Sequence, residues 1–353
     1  MTRPHGLLRA GFPYLKTLGY SLRIMFPTDI AITRDGRIFT LGLGSNYGKG
    51  KSGPVAITNL NDDDLGSFGW NASQMRKPED LPVSNFSFLW PSALVLDSDE
   101  VLYASDEGCH RISRFTTDGE YLGKWGEHGS GDGQISRPSG MAFDCDDNLL
   151  VVDSNNHRVQ RFSKDGRFLS KFGSYGTGDG QFDTPWGIAV DGDGDIYVSD
   201  WRNDRIQKFT ADGEFIFKFG DSGSDDGELN RPAGVEVDKH GDIYVADWGN
   251  DRVQLFDHGG RFVQMFLGDA TLSRSRLGRL QNGAGRYLRI REMGSLELEK
   301  RFAGPRSVRV DDEGHMYVAD YDCYRIQVYK KEAYPLGEEL IAPPLRAPTL
   351  NPN

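Results

Sequence analysis

The chain is poor in cysteine, in positive charge and in long apolar runs, and each shortage excludes something. Three Cys in 353 residues cannot build a disulfide framework, and the odd count fits a reducing compartment. Cys109 and Cys323 stand at one repeat position that holds asparagine elsewhere, and read as small buried fillers. A net charge of −11 argues against a general nucleic-acid surface, which draws most of its affinity from Lys and Arg on phosphates. No stretch approaches the roughly 20 apolar residues of a membrane helix. Residues 1–20 hold no apolar signal core, so a cytoplasmic protein without membrane contact is expected. Helical periodicity is scarce as well. The 44 glycines suit a fold of many tight turns.

What the chain has is repetition. Residues 90–126, 137–173, 184–220 and 231–266 are near-copies of one another. Pro91, Pro138, Pro185 and Pro232 are each 47 residues apart, and so are Asp106, Asp153, Asp200 and Asp247. A fixed period of this size signals repeat architecture. Within Thr184 to Gly220, Gly187-Ile188-Ala189-Val190 is a short apolar run after a proline. Asp191-Gly192-Asp193-Gly194-Asp195 is turn chemistry. Ile196 to Asp200, Arg205 to Phe209 and Phe215 to Phe219 then read as three further strands. Four antiparallel strands cannot bury both faces alone, so the repeats must stack, and radial stacking of such sheets is the β-propeller.

The pattern extends to six copies in one domain over residues 1–353, opening near 26, 90, 137, 184, 231 and 304. The last copy lacks a good fourth strand. Tyr14 to Gly19, within residues 12–20, resembles the fourth strand of other copies and is expected to complete it, closing the ring. The spacing stretches to 64 residues between Pro27 and Pro91, and to 73 between Pro232 and Pro305. The added length falls in 42–54, 71–89 and 267–303, the last with a short helix expected near Ala270 to Leu280. The fold class is thus all-β: a six-bladed propeller of four-stranded antiparallel blades with a short helical insertion between blades five and six.

Asn156-His157-Arg158-Val159, Asn203-Asp204-Arg205-Ile206 and Asn250-Asp251-Arg252-Val253 resemble NHL repeats, and the Tyr-Val-Ala-Asp and Asp-Gly-x-Phe elements agree. That resemblance implies a six-bladed propeller. WD40 and kelch signatures fit poorly. NHL propellers include lyases, hydrolase-like relatives, RNA-binding platforms and scaffolds, so the fold alone names no activity. The resemblance further suggests that amidating lyases of this superfamily carry zinc-ligand histidines right after the repeat proline. Here those positions are Thr28, Ser92, Ser139, Trp186, Ala233 and Arg306. A zinc site needs three or four convergent ligands, so no metal and no cofactor are expected.

Propeller topology puts the residue after the repeat proline and the residue after the second-strand Asp at one mouth of the channel. The second set is Glu107, Ser154, Trp201, Trp248 and Tyr321. An aromatic wall with a few polar groups is the usual make-up of a small-molecule site. The ligand-binding candidates are therefore Trp186, Trp201, Trp248, Ser92 and Ser139, with Arg202 and Arg306 as anchors for an anionic group. The two insertions are expected to cover this mouth. A small or extended organic ligand is the leading reading. A metal-independent lyase or hydrolase is the alternative, with Asp29, Glu107 and Tyr321 as its only plausible acid–base members. A protein scaffold is the third, through the basic 267–303 insertion. Whether the protein is an enzyme stays open.

Two near-motifs are rejected. Asp191 to Asp195 mimics the start of a calcium loop but lacks its glutamate at position twelve. Gly48-Lys49-Gly50-Lys51-Ser52 misses the first glycine of a phosphate loop, with Ser45 in its place. The recurring Asp106, Asp153, Asp200, Asp247 and Asp320 read as structural carboxylates that accept backbone N–H bonds.

Overall fold

A computed structural model describes residues 6–19, 26–43, 53–71, 87–270 and 300–336. It contains six four-stranded antiparallel sheets. Their first strands are Pro27–Ile32, Pro91–Leu96, Pro138–Phe143, Pro185–Val190, Pro232–Val237 and Pro305–Val310. Each opens on proline, which has no N–H to give a ladder and is tolerated at the first residue of a strand. Each first strand packs on the next, and Pro305–Val310 packs back on Pro27–Ile32, so the six sheets form a closed ring. In blade six the outer strand is Tyr14–Leu18, paired antiparallel with Arg325–Lys330. Gly6–Gly11 pairs with Glu332–Leu336 in a separate ribbon.

The core lies between blades. Between blades four and five, Tyr197, Ile206, Val235, Val245 and Phe256 share one buried cluster. The same packing accounts for two repeat motifs at once. The aromatic that closes one blade lies on the glycine of the outer turn of the next: Phe172 on Gly213, Phe219 on Gly260. Both glycines have φ near the left-handed region, at +87° and +76°, and a Cβ there would sit 2.6 and 2.8 Å from the ring.

The repeat carboxylates are structural locks. Asp200 is fully buried. It accepts the Asp183 N–H at 2.8 Å, and the side chains of Asn203, Arg205 and Gln207 at 2.9, 2.9 and 3.0 Å. Asp153 and Asp247 repeat this set, and Asp320 holds Ala303, Arg325 and Gln327. In blade two Asp106 instead collects the backbone N–H groups of Leu89, Trp90, Gly108 and Cys109. The calcium-like turn already holds a cation, since Lys208 pairs with Asp195 at 2.7 Å and with Asp191 at 3.3 Å.

The helix expected near Ala270 to Leu280 lies outside the described residues apart from Ala270, as do the phosphate-loop near-miss and most of the three insertions. Among the described residues, no helix is long and apolar enough to cross a membrane.

Candidate functional site

The repeat proline and the repeat aspartate face each other across the first two strands of a blade: Pro91 opposite Asp106, Pro185 opposite Asp200, Pro305 opposite Asp320. In blade one the partner of Pro27 is Gly42. The residues that follow both therefore gather at one end of the channel. In blades three to five the Asp leads into one turn of 3-10 helix, namely Ser154–Asn156, Trp201–Asn203 and Trp248–Asn250. A left-handed residue then closes each turn: His157, Asp204 and Asp251, with φ of 53°, 52° and 53°. Its side chain accepts the N–H of the residue before the next repeat proline, at 3.0, 2.7 and 2.7 Å. His110 does the same for Arg137 at 3.0 Å. His110 and His157 are thus caps, each spending a ring nitrogen on the backbone. Among the described residues no three of His, Cys, Asp and Glu come together as a metal site.

One half of the mouth is a row of rings and guanidinium groups, all only part-buried or exposed. Trp186 and Trp201 have centroids 6.5 Å apart, and Trp201 and Trp248 6.2 Å, with tilts of 37° and 42°. The Arg306 guanidinium carbon lies 4.1 Å from the Tyr321 centroid and 5.8 Å from that of Trp186. Each such cation–π contact is worth about 0.5–2 kcal/mol. Arg306 makes no ion pair, and its Nε is buried without a hydrogen-bond partner, among the described residues. Beside Trp248 opens a cleft of about 460 Å3 lined by Asn230, Arg231, Asp251, Gly304 and Asp322.

On the other half the serine hydroxyls are spent between blades. Ser92 Oγ donates to the Pro138 carbonyl at 2.9 Å, and Ser139 Oγ to the Trp186 carbonyl at 2.8 Å. Both hydroxyls also meet a second serine, Ser105 and Ser154 respectively. They stitch one blade to the next.

The three acid–base candidates are placed apart in role. Glu107 is buried and accepts Arg137 at 2.6 and 3.1 Å; burial pushes its carboxyl above the ordinary glutamate value. Tyr321 lies under Arg306 and beside Phe26, and burial raises its hydroxyl. Asp29 is deep in the channel and saturated. It accepts the N–H groups of Ile30 and Leu94 at 2.8 and 2.9 Å, the Ser307 hydroxyl at 2.5 Å and Arg309 at 2.7 Å. The void around it measures only about 30 Å3, roughly room for one water, so a ligand at the mouth stays at the mouth.

Arg202 does not join the row. It is exposed, and its backbone N–H serves the Asp183 carbonyl. Arg231 takes the place foreseen for it, with its guanidinium 5.0 Å from the Trp201 centroid. The residue before each repeat proline is a mouth position too, as Arg137 on Glu107 and Phe26 on Tyr321 also show. Its adjacency to the proline was the available signal.

A closed ring of six four-stranded blades with this mouth defines a six-bladed β-propeller. Three of its blades carry NHL repeats: the NHL repeat family matches residues 136–162, 182–209 and 229–256. By sequence, no curated protein matches the chain. Three solved structures are similar in fold. A catalytically inactive virginiamycin B lyase from Staphylococcus aureus with quinupristin is 13% identical, with TM-score 0.54 over 92% of this chain and 89% of that one. A gluconolactonase from Xanthomonas campestris is 13% identical, with TM-score 0.57 over 93% and 98%. A Bacteroides thetaiotaomicron protein of unknown function is 18% identical, with TM-score 0.58 over 94% and 73%. At these identities the likeness is one of fold.

Proposed function

We propose that this propeller binds a small or extended organic anion with a planar apolar part at the aromatic half of its mouth. The carrying observation is Arg306, a guanidinium held against Tyr321 and Trp186 with no carboxylate partner among the described residues. A part-desolvated cation framed by rings favours a ligand that brings the missing negative charge. Trp186, Trp201 and Trp248 extend the surface on which a planar body stacks, and Arg231 offers a second positive group. Asn230, Asp251 and Asp322 in the adjoining cleft would take its polar end. Ser92 and Ser139 have no part in this reading, because their hydroxyls are spent between blades, and Arg202 is left out because no ring contact among the described residues ties it to the row.

Naphthoate is a suitable probe, followed by quenching of tryptophan fluorescence. Saturable quenching is expected, with Arg306→Gln weakening binding about tenfold or more, the equivalent of about 1.4 kcal/mol. Linear, non-saturating quenching, or equal affinity in Arg306→Gln and Trp186→Ala, would sink the reading.

A metal-independent lyase or hydrolase at the same mouth is the second reading. Glu107 favours it, as a buried carboxyl raised above its usual range and close enough to Arg306 to feel its charge. The lyase and gluconolactonase among the fold neighbours lean the same way. Turnover of a lactone or lyase substrate that is lost in Glu107→Gln, with naphthoate binding intact, would move it ahead.

A further inference from the structure

The channel has a second chamber at its far end. Its volume is about 460 Å3, within the usual range of small-molecule sites. Ile32, Leu60, Leu96 and Val310 supply apolar walls, and Arg309 and Glu236 are the charged groups at its inner end. Arg309 also lines the small void below the mouth, so this side chain divides the channel in two. It is held from three sides: by Asp29 at 2.7 Å, by Glu236 at 2.9 Å, and by its Nε on the Ile30 carbonyl at 3.2 Å.

The charge count at this divider does not balance. Asp29 and Glu236 bring two carboxylates to one guanidinium, and Asp29 is saturated. One negative charge is therefore left on the Glu236 side. Burial raises the Glu236 carboxyl above its ordinary value, and Arg309 offsets this in part. The rim adds Asp311, Asp312 and Glu313. Asp311 is bound by His315 and Tyr317 at 2.8 and 3.0 Å, whereas Glu313 is exposed. The opposing rim cation, Arg34, is exposed and turned to the Ser98 carbonyl at 3.0 Å.

We propose that this chamber is a second binding site, separate from the mouth, for a small organic ammonium ion whose apolar body rests on Ile32, Leu60, Leu96 and Val310 and whose charge meets Glu236. The inference does not depend on the reading of the mouth. An ammonium ion at Glu236 completes the charge balance, and the apolar side chains beside it favour an organic body over a hydrated inorganic ion.

The test is calorimetric titration of the full chain with phenethylammonium at neutral pH, with phenylethanol as the neutral isostere. The ammonium is expected to bind saturably and at least about tenfold tighter than the alcohol. Glu236→Gln should erase that preference. Ile32→Trp, which fills the chamber and leaves its charge in place, should abolish binding and decides the matter if Glu236→Gln fails to fold. Arg306→Gln should bind the ammonium as the wild type does. Equal affinity for ammonium and alcohol, unchanged binding in the folded chamber variants, or competition by naphthoate would each overturn the proposal.

Discussion

The two halves of the mouth use the same repeat positions in opposite ways. On one side, Ser92, Ser139 and Ser154 turn inward and bond carbonyls of the neighbouring first strand, the last reaching Pro185 O at 2.8 Å. On the other, Trp186, Trp201 and Trp248 cannot make such stitches and lean on one another instead. Ser105 and Ser199 show the consequence beneath. Ser105 Oγ reaches the Ser139 carbonyl at 2.7 Å, while Ser199 Oγ is buried with no partner among the described residues. The difference teaches where to look for function in a repeat fold: at copies in which local bonding has been given up, since the other copies show that the scaffold does not require it.

The largest effect expected lies below both halves and tests whether they share one frame. Asp200→Ala on the aromatic side leaves Arg205 buried without its carboxylate, and Asp153→Ala on the serine side does the same to Arg158. Each should cost about 3–5 kcal/mol in urea unfolding. A much smaller cost on one side would show that the locks are not equivalent, and would break the comparison.

The next effect separates the halves. Trp201→Ala removes the ring between Trp186 and Trp248 and the platform under Arg231. It should weaken naphthoate binding about tenfold or more, some 1.4 kcal/mol. Because Trp201 keeps part of its ring in solvent, unfolding free energy should fall by less than the about 3–5 kcal/mol of a fully buried tryptophan. Ser139→Ala should cost about 1 kcal/mol of stability for its lost hydrogen bonds with binding unchanged. If both variants weakened naphthoate binding, the division between stitched and open halves would be wrong.

The smallest effect concerns the caps. The serine side uses His110 and His157, the aromatic side Asp204 and Asp251. His110 Nδ1 accepts the Arg137 N–H and must be neutral to do so. Burial, then the neighbouring charge of His128, hold its pKa below the ordinary value of 6.5. A depressed folded value means the cap's contribution is full above the unfolded pKa and is lost as pH falls through the folded one. Unfolding free energy should therefore drop between about pH 7 and about pH 5 more steeply in the wild type than in His110→Asn, which keeps an acceptor that does not titrate. Parallel pH profiles would remove the cap from the account.

Much of the architecture was legible because period and pattern are local in sequence. The 47-residue spacing of Pro and Asp announces repeated blades, and alternation within each copy announces four strands. Repeat comparison also separated Asp106, Asp153, Asp200, Asp247 and Asp320, which recur, from Trp186 and Arg306, which do not. The site was less legible. Asp29 stood out because it occurs in one copy, yet its carboxylate is consumed by Arg309 and Ser307, 280 and 278 residues away. Arg202 adjoins Trp201 in sequence, whereas Arg231 is 30 residues from it. Yet it is Arg231, with φ 52°, whose guanidinium lies 5.0 Å from the Trp201 centroid.

By itself, then, the sequence determined the six-fold repeat, the four-stranded blade and the list of residues that could face the mouth. These depend on side-chain period and turn chemistry within a single copy. The tertiary structure alone decided which of those residues are spent on the scaffold and which keep free valence, and where the channel is divided. Those outcomes turn on carbonyls, carboxylates and guanidinium groups that meet across blades, between residues whose separation in the chain carries no trace of their contact.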